Sequence, residues 1–219
     1  MTVAIDRRAL LRSLVAVPLF AARSVHAAAV SPDGALDAAL ADIAKAREKL
    51  TTLQGPFTQE RMVSLLATKV ISTGRISLVR PDRLRWELAP PDAATYWVLP
   101  DALAYATKSG SGKIGKASQG PLGGVLQDLL VILGGDLALL KGRYALTLVK
   151  RDAAGIVVHA APLDAALAKT TKRVEMTTGA DAAALQRIAI VEAGGDKSDI
   201  TFGALVRNAA IDAKLVAGP

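Results

Sequence analysis

The stretch LVRPDRLRWEL, residues 78–88, decides how this chain folds. Arg80-Pro81-Asp82 predicts a turn, because proline fixes φ and removes a backbone donor. Beyond the turn the residues alternate strictly. Leu84, Trp86 and Leu88 fall on one face; Arg83, Arg85 and Glu87 fall on the other. A period of two with one apolar face predicts a half-buried strand. The chain has only two tryptophans, and one of them sits on the face that alternation predicts to be buried.

The same period extends in both directions. Residues 57–66, 70–80, 83–89, 94–99 and 102–108 read as successive strands, punctuated by Pro81-Asp82, Pro90-Pro91 and Pro100-Asp101. This spacing predicts an antiparallel meander. Upstream, residues 31–53 read as a helix. Ser31 can cap it, Pro32 suits its first turn, and Asp33 suits its positive end. Leu36, Leu40, Ile43, Leu50 and Leu53 form its apolar stripe, and Gly55-Pro56 ends it. Downstream, KSGSGKIGKASQGPLGG, residues 108–124, lacks periodicity and reads as a mobile loop. Its glycines do not make a phosphate-binding pattern.

Residues 123–140 then predict two short apolar helices, broken at Gly134-Gly135, with Asp136 capping the second. Strands resume at 143–150, 155–161, 172–178, 185–192, 198–205 and 211–216. No internal repeat and no second domain stand out.

The N-terminus has the pattern of an export segment. Residues 1–27 have a basic start, an apolar run from Leu14 to Ala22, and Val25-His26-Ala27 as a small-residue cleavage site. That run is shorter than the roughly 20 residues a membrane span needs. Arg7-Arg8 fits a twin-arginine leader as well as an ordinary secretory one. Removing these residues takes away four arginines and one aspartate from a chain of net charge +7. The remaining domain, 28–219, is mildly basic, and no Lys/Arg run interleaves with aromatics, which argues against nucleic acid as a partner. The chain has no cysteine, so disulfides and lipidation at a cysteine are excluded and the core alone must hold the fold.

Two architectures fit. A long run of strands curls into a barrel-like sheet, because closure removes edges. Leu126, Leu129, Leu130, Ile132 and Leu133 cover more than one helix face, so the middle insert would plug the barrel mouth as a lid. The plainer reading, which composition alone favours, is a two-layer α+β domain with a dry, filled core.

Catalytic constellations are scarce. His159 is the one histidine beyond the export segment, so no histidine-based metal cluster or triad can be built within a chain. No acidic pair and no nucleophile elbow stand out. The chain is expected not to be an enzyme and to use no cofactor and no metal.

The string GRISLVRPDRLRW, residues 74–86, resembles the periplasmic outer-membrane lipoprotein carriers, the LolA-like family. Phe57-Thr58-Gln59, Gly74, Arg80-Pro81 and Trp86 match that family's spacing. APPDAATYWV, GGDLALL with RYALTL, HAAPLD and the closing segment through Asn208 come after it in the family's order. The resemblance runs over residues 31–219. It implies a mainly β (α+β) fold: an open antiparallel half-barrel of about 11 strands enclosing an apolar cavity, with an N-terminal helix and a central helical lid.

The resemblance also implies a function. Such a protein is a monomeric periplasmic chaperone that takes acylated lipoprotein, or a related lipid, from an inner-membrane releasing transporter to an outer-membrane acceptor. Arg80 occupies the position of the family arginine that holds the lid. Phe57, Ile76, Leu78, Leu84, Trp86, Leu88 and Trp97 would line the cavity, and Leu126, Leu129, Leu130 and Leu133 would cover it. The chain departs from the family at Leu84, where phenylalanine is common, and at Lys214-Leu215-Val216, where Phe-x-Phe is usual. These departures weigh against a general housekeeping carrier and leave open a pathway-specific one. A lipoprotein-sensing regulatory module of the same fold and a periplasmic hydrolase are the rival readings.

Overall fold

The computed structural model describes residues 32–66 and 68–219. The predicted export segment and the predicted cap Ser31 lie outside the described residues. The described residues form one compact unit with its own hydrophobic core, the condition for folding independently.

Helix α1 (Pro32–Ala46) carries Leu36, Leu40 and Ile43 into the core. It stops earlier than the sequence predicts. Leu50 and Leu53 are buried as expected, but Leu50 comes after a turn and Leu53 belongs to strand β1 (Thr52–Val63). Gly55-Pro56 therefore lies inside a strand rather than ending a helix. Pro56 is tolerated because β1 changes partner there, pairing with β12 before it and β11 after it. A Cβ on Gly55 would sit 2.7 Å from the Ala204 carbonyl oxygen, so only glycine admits the chain that crosses at this break.

The meander forms as predicted: β2 (Thr68–Val79), β3 (Arg83–Leu88), β4 (Ala94–Val98) and β5 (Ala102–Thr107). The loop predicted at 108–124 is instead strand β6 (Gly110–Gly115), a short 3-10 turn and the start of helix α2 (Gly120–Gly134). Strand β6 pairs with β5 through its backbone, which needs no apolar alternation, and so left no period to read. Gly135, in the left-handed conformation (φ +89°), closes α2 by donating its N–H to Val131. A 3-10 stretch, Leu137–Gly142, comes next. Asp136 stands at its start as predicted, but its side chain makes no capping bond.

The second half comprises β7 (Tyr144–Asp152), β8 (Gly155–Pro162), the short helix α3 (Ala165–Ala168), β9 (Thr171–Thr178), β10 (Leu185–Glu192), β11 (Lys197–Phe202) and β12 (Val206–Arg207). Residues 211–216 are not the predicted strand; Ala213–Val216 is a 3-10 turn capped by Asp212.

Among the described residues, twelve strands join one antiparallel sheet, ordered β6-β5-β4-β3-β2-β1-β11-β10-β9-β8-β7, with β12 beside β1. The sheet stays open, with β6 and β7 as edges. Lys113 on β6 and Lys150 and Arg151 on β7 place charge along those edges, which discourages pairing with other chains. Helix α1 packs against β7, while α2 packs against β2 and β4. In a flat sheet β4 and β7 would lie about 38 Å apart, at about 4.8 Å per strand. Two adjoining helices reach both only because the sheet curls around them. Its inner face holds the core: Ile76, Leu78 and Leu84 from the sheet and Leu133 from α2 are fully buried.

Candidate functional site

Between α2 and the inner face lies a cavity of about 370 Å³, within the range of small-molecule sites. Trp86, Leu88 and Tyr96 border it from β3 and β4, Ile190 and Ile200 from β10 and β11, and Val125, Leu126 and Leu129 from α2. Its rim is polar: Gln59, Arg61, Thr170, Glu192 and Ser198. Deeper under α2, beside Asp128, Ile132 and Tyr144, only about 10 Å³ remains. The inner face is thus filled at one end and hollow at its mouth. A broader groove of about 770 Å³ runs over Pro56, Arg75, Glu87 and Pro90. It is the larger, but most of its strand residues alternate with the inner ones, and no helix covers it.

The residues singled out in the sequence separate into groups. Trp86, Leu88, Leu126 and Leu129 border the mouth cavity. Phe57 stacks on Trp86, with ring centroids 4.1 Å apart. Ile76, Leu78, Leu84, Leu130 and Leu133 lie in the packed core and border no part of the cavity. Trp97 is a correction. It alternates with Tyr96 and Val98, so it faces the outer side, where it packs on Leu99 and Ala104. There its indole N–H donates to the Leu215 carbonyl at 2.9 Å. The C-terminal turn buries this outer patch, which is why β4 is apolar on both faces.

Arg80 is the second correction. Its Nη1 donates to the carbonyls of Arg47 (3.0 Å) and Leu50 (3.3 Å), the turn after α1, and not to the lid. The contact to the lid comes from Arg47. Its Nη1 donates to Ile132 (2.8 Å) and Leu133 (3.5 Å) on α2, and its Nε to Ala183 (2.9 Å). The last carbonyls of a helix have no partner within it, and a cation suits that negative end. Arg47 is 3% exposed. Burial, with Arg207 and Arg80 nearby and against the pull of Asp181, lowers its pKa to about 10. A Cβ on Gly135 would fall 2.4 Å from Arg47 Cδ, so the glycine that ends α2 also makes room for the arginine that holds it. The sequence held one clue: Arg47 continues the buried stripe Leu36, Leu40, Ile43 at helical spacing.

Asp128 ties the middle of α2. Its carboxylate accepts from Tyr144 Oη and from Arg143 Nη1, each at 2.5 Å. Burial pushes the Asp128 carboxyl above the ordinary carboxylate range, against the pull of both donors. Burial and the adjoining carboxylate push the Tyr144 hydroxyl up as well. His159 lies away from the cavity, hydrogen-bonded to Glu175 at 2.7 Å, with Arg187 on the same carboxylate.

Among the described residues, no helix is long and apolar enough to cross a membrane. No protein-family model matches the chain. An outer-membrane lipoprotein carrier protein from Alkalilimnicola ehrlichii is 33% identical over 97 residues, covering 41% of this chain and 45% of that protein. The match thus spans less than half the length of that relative. Among solved structures, an uncharacterised conserved protein from Thermus thermophilus superposes with a TM-score of 0.52 at 9% identity, covering 83% of this chain and 92% of its own. A DUF1329 family protein from Desulfovibrio piger gives 0.50 at 8% identity, over 80% and 94%. These two likenesses concern the fold alone. The chain is thus similar in sequence, over part of its length, to an outer-membrane lipoprotein carrier protein, and in fold to these two structures.

Proposed function

We propose that this protein is a non-enzymatic periplasmic carrier that holds the acyl chains of a lipoprotein, or of a related lipid, at the mouth of its half-barrel. One observation carries the reading. The mouth cavity is apolar on the sheet side and on the lid side, and it opens through a polar rim. Burying an acyl chain contributes about 0.8 kcal/mol per CH₂ without any specific polar contact. The partial sequence match to an outer-membrane lipoprotein carrier supports the same reading.

The packing suggests the remainder of the cycle. The space below the mouth is closed, so a longer chain enters only as α2 moves away from the sheet. Arg47 and Asp128 hold α2 by side-chain hydrogen bonds, so these contacts set the balance between closed and open. A ligand shifts that balance only by its preference for the open state. Loading from an inner-membrane releasing transporter and unloading to an outer-membrane acceptor would be two such shifts.

Native mass spectrometry of protein purified from a periplasm without detergent tests the proposal. Acyl lipid or lipoprotein that co-purifies and leaves on organic extraction is the expected result. A bare mass, with no uptake of an added diacylated peptide, would overturn it.

A further inference from the structure

Strands β1 and β2 run past β3, while on the other flank β11 accompanies β1 as far as Met62. Strand β3 ends opposite Gly74, where Leu88 is its last paired residue, while β1 and β2 stay paired out to Val63 and Thr68. The tip of this hairpin carries exposed apolar side chains. Leu65 at its apex is 93% exposed, and Ile71, Met62 and Val70 are 57%, 44% and 43% exposed. Val70 pairs with Arg61 on the inner side of the ladder, whereas Met62 and Ile71 belong to the outer side. Exposed apolar side chains therefore lie on both faces and at the apex, interleaved with Glu60, Arg61 and Lys69.

The charges around these side chains are matched within the protein. Lys69 pairs with Glu60 at 2.6 Å, and Arg61 bridges Glu192 and Asp196 at 3.2 Å each. The tip also adjoins the mouth, since Gln59 and Arg61 belong to the cavity rim.

We propose that the β1–β2 hairpin tip inserts into the interface of a lipid bilayer and brings the cavity mouth to the membrane. A protein partner would cover one face of the hairpin. A bilayer interface takes up both faces and the apex at once, with β11 still paired along the β1 flank. Internally paired charges leave no excess cation to attract anionic headgroups, so zwitterionic lipid suffices and salt has little effect. The purpose assigned to the insertion rests on the reading of the mouth as an acyl site; the insertion itself does not.

The absence of cysteine makes the test direct. An environment-sensitive fluorophore is placed on Leu65→Cys, on Ile71→Cys, and on Val149→Cys, an exposed control at the β7 edge, in the full chain. Phosphatidylcholine vesicles should shift the first two labels to the blue, and lipid-borne nitroxides should quench them, with Val149→Cys unaffected. The effect should persist from about 0.05 M to about 0.5 M salt. Introducing Leu65→Glu with Ile71→Glu should weaken vesicle binding about 10-fold or more while uptake of a diacylated peptide in solution stays unchanged. Labels at 65 and 71 that stay in water on vesicles would overturn the proposal and leave the tip to a protein partner. Insertion abolished by salt would overturn it too. Insertion without any peptide uptake would leave the hairpin assignment standing and remove the carrier reading.

Discussion

At the Arg80 end of the inner face, Leu78, Leu84 and Leu133 are buried to completion. At the other end Leu88, Leu126 and Leu129 border a cavity of about 370 Å³. The residue types are the same; the surroundings differ. The closed end is framed by two arginines, Arg80 holding the turn after α1 and Arg47 holding the end of α2. The mouth has a polar rim and no such frame. The lesson is that a filled core and a ligand cavity share one hydrophobic face here, and that the polar anchors decide where one becomes the other.

Leucine truncations along α2 probe that contrast with the largest effect. Leu133→Ala should destabilise the fold by about 3–5 kcal/mol, since a close-packed site cannot collapse around the lost atoms. Leu126→Ala, beside existing empty volume, should cost about half as much. Equal losses in denaturant unfolding would erase the distinction between the two ends.

The arginines come next. Arg47→Met keeps the apolar stem and removes the donors to Ile132, Leu133 and Ala183, so it should cost about 2–3 kcal/mol and speed amide exchange in α2. Arg80→Leu should cost about 1–2 kcal/mol and act mainly on the turn after α1. If Arg80→Leu loosens α2 more than Arg47→Met does, Arg80 is the latch after all.

The smallest effect is a pH dependence. Asp128 has a folded pKa raised above its unfolded value of about 4. Between those two values the native state binds more protons than the unfolded state. The stability this group contributes is therefore complete below about pH 4 and lost as pH rises through the folded pKa. Asp128→Asn removes that titration. Wild type should gain on the variant as acid is added, and a stability difference flat with pH would show that Asp128 is not buried as an acid.

Much of this architecture was legible because alternation is local. Residues 78–88 alone announce a turn and a strand, and β2 to β5 keep close to their predicted spans. What escaped the sequence is what distant contacts decide. Strand β6 pairs through its backbone, so its glycines and lysines left no period. Trp97 looked like another inner aromatic until register set it opposite Arg85 and Ala104. The side-chain partners of Arg47 lie 85 and more residues away, and an arginine near a helix end ordinarily reads as a dipole partner facing water. The apolar residues that border the cavity and those that fill the core are chemically alike, so only the packing told them apart.

The most direct test of the central claim fills the mouth. Leu88 is only partly buried and borders the cavity, so Leu88→Trp adds bulk there without disturbing the closed end. Uptake of a diacylated peptide should fall steeply in Leu88→Trp while the melting temperature stays near that of wild type. Undiminished uptake would place the acyl chains elsewhere and contradict the assignment of the mouth as their site.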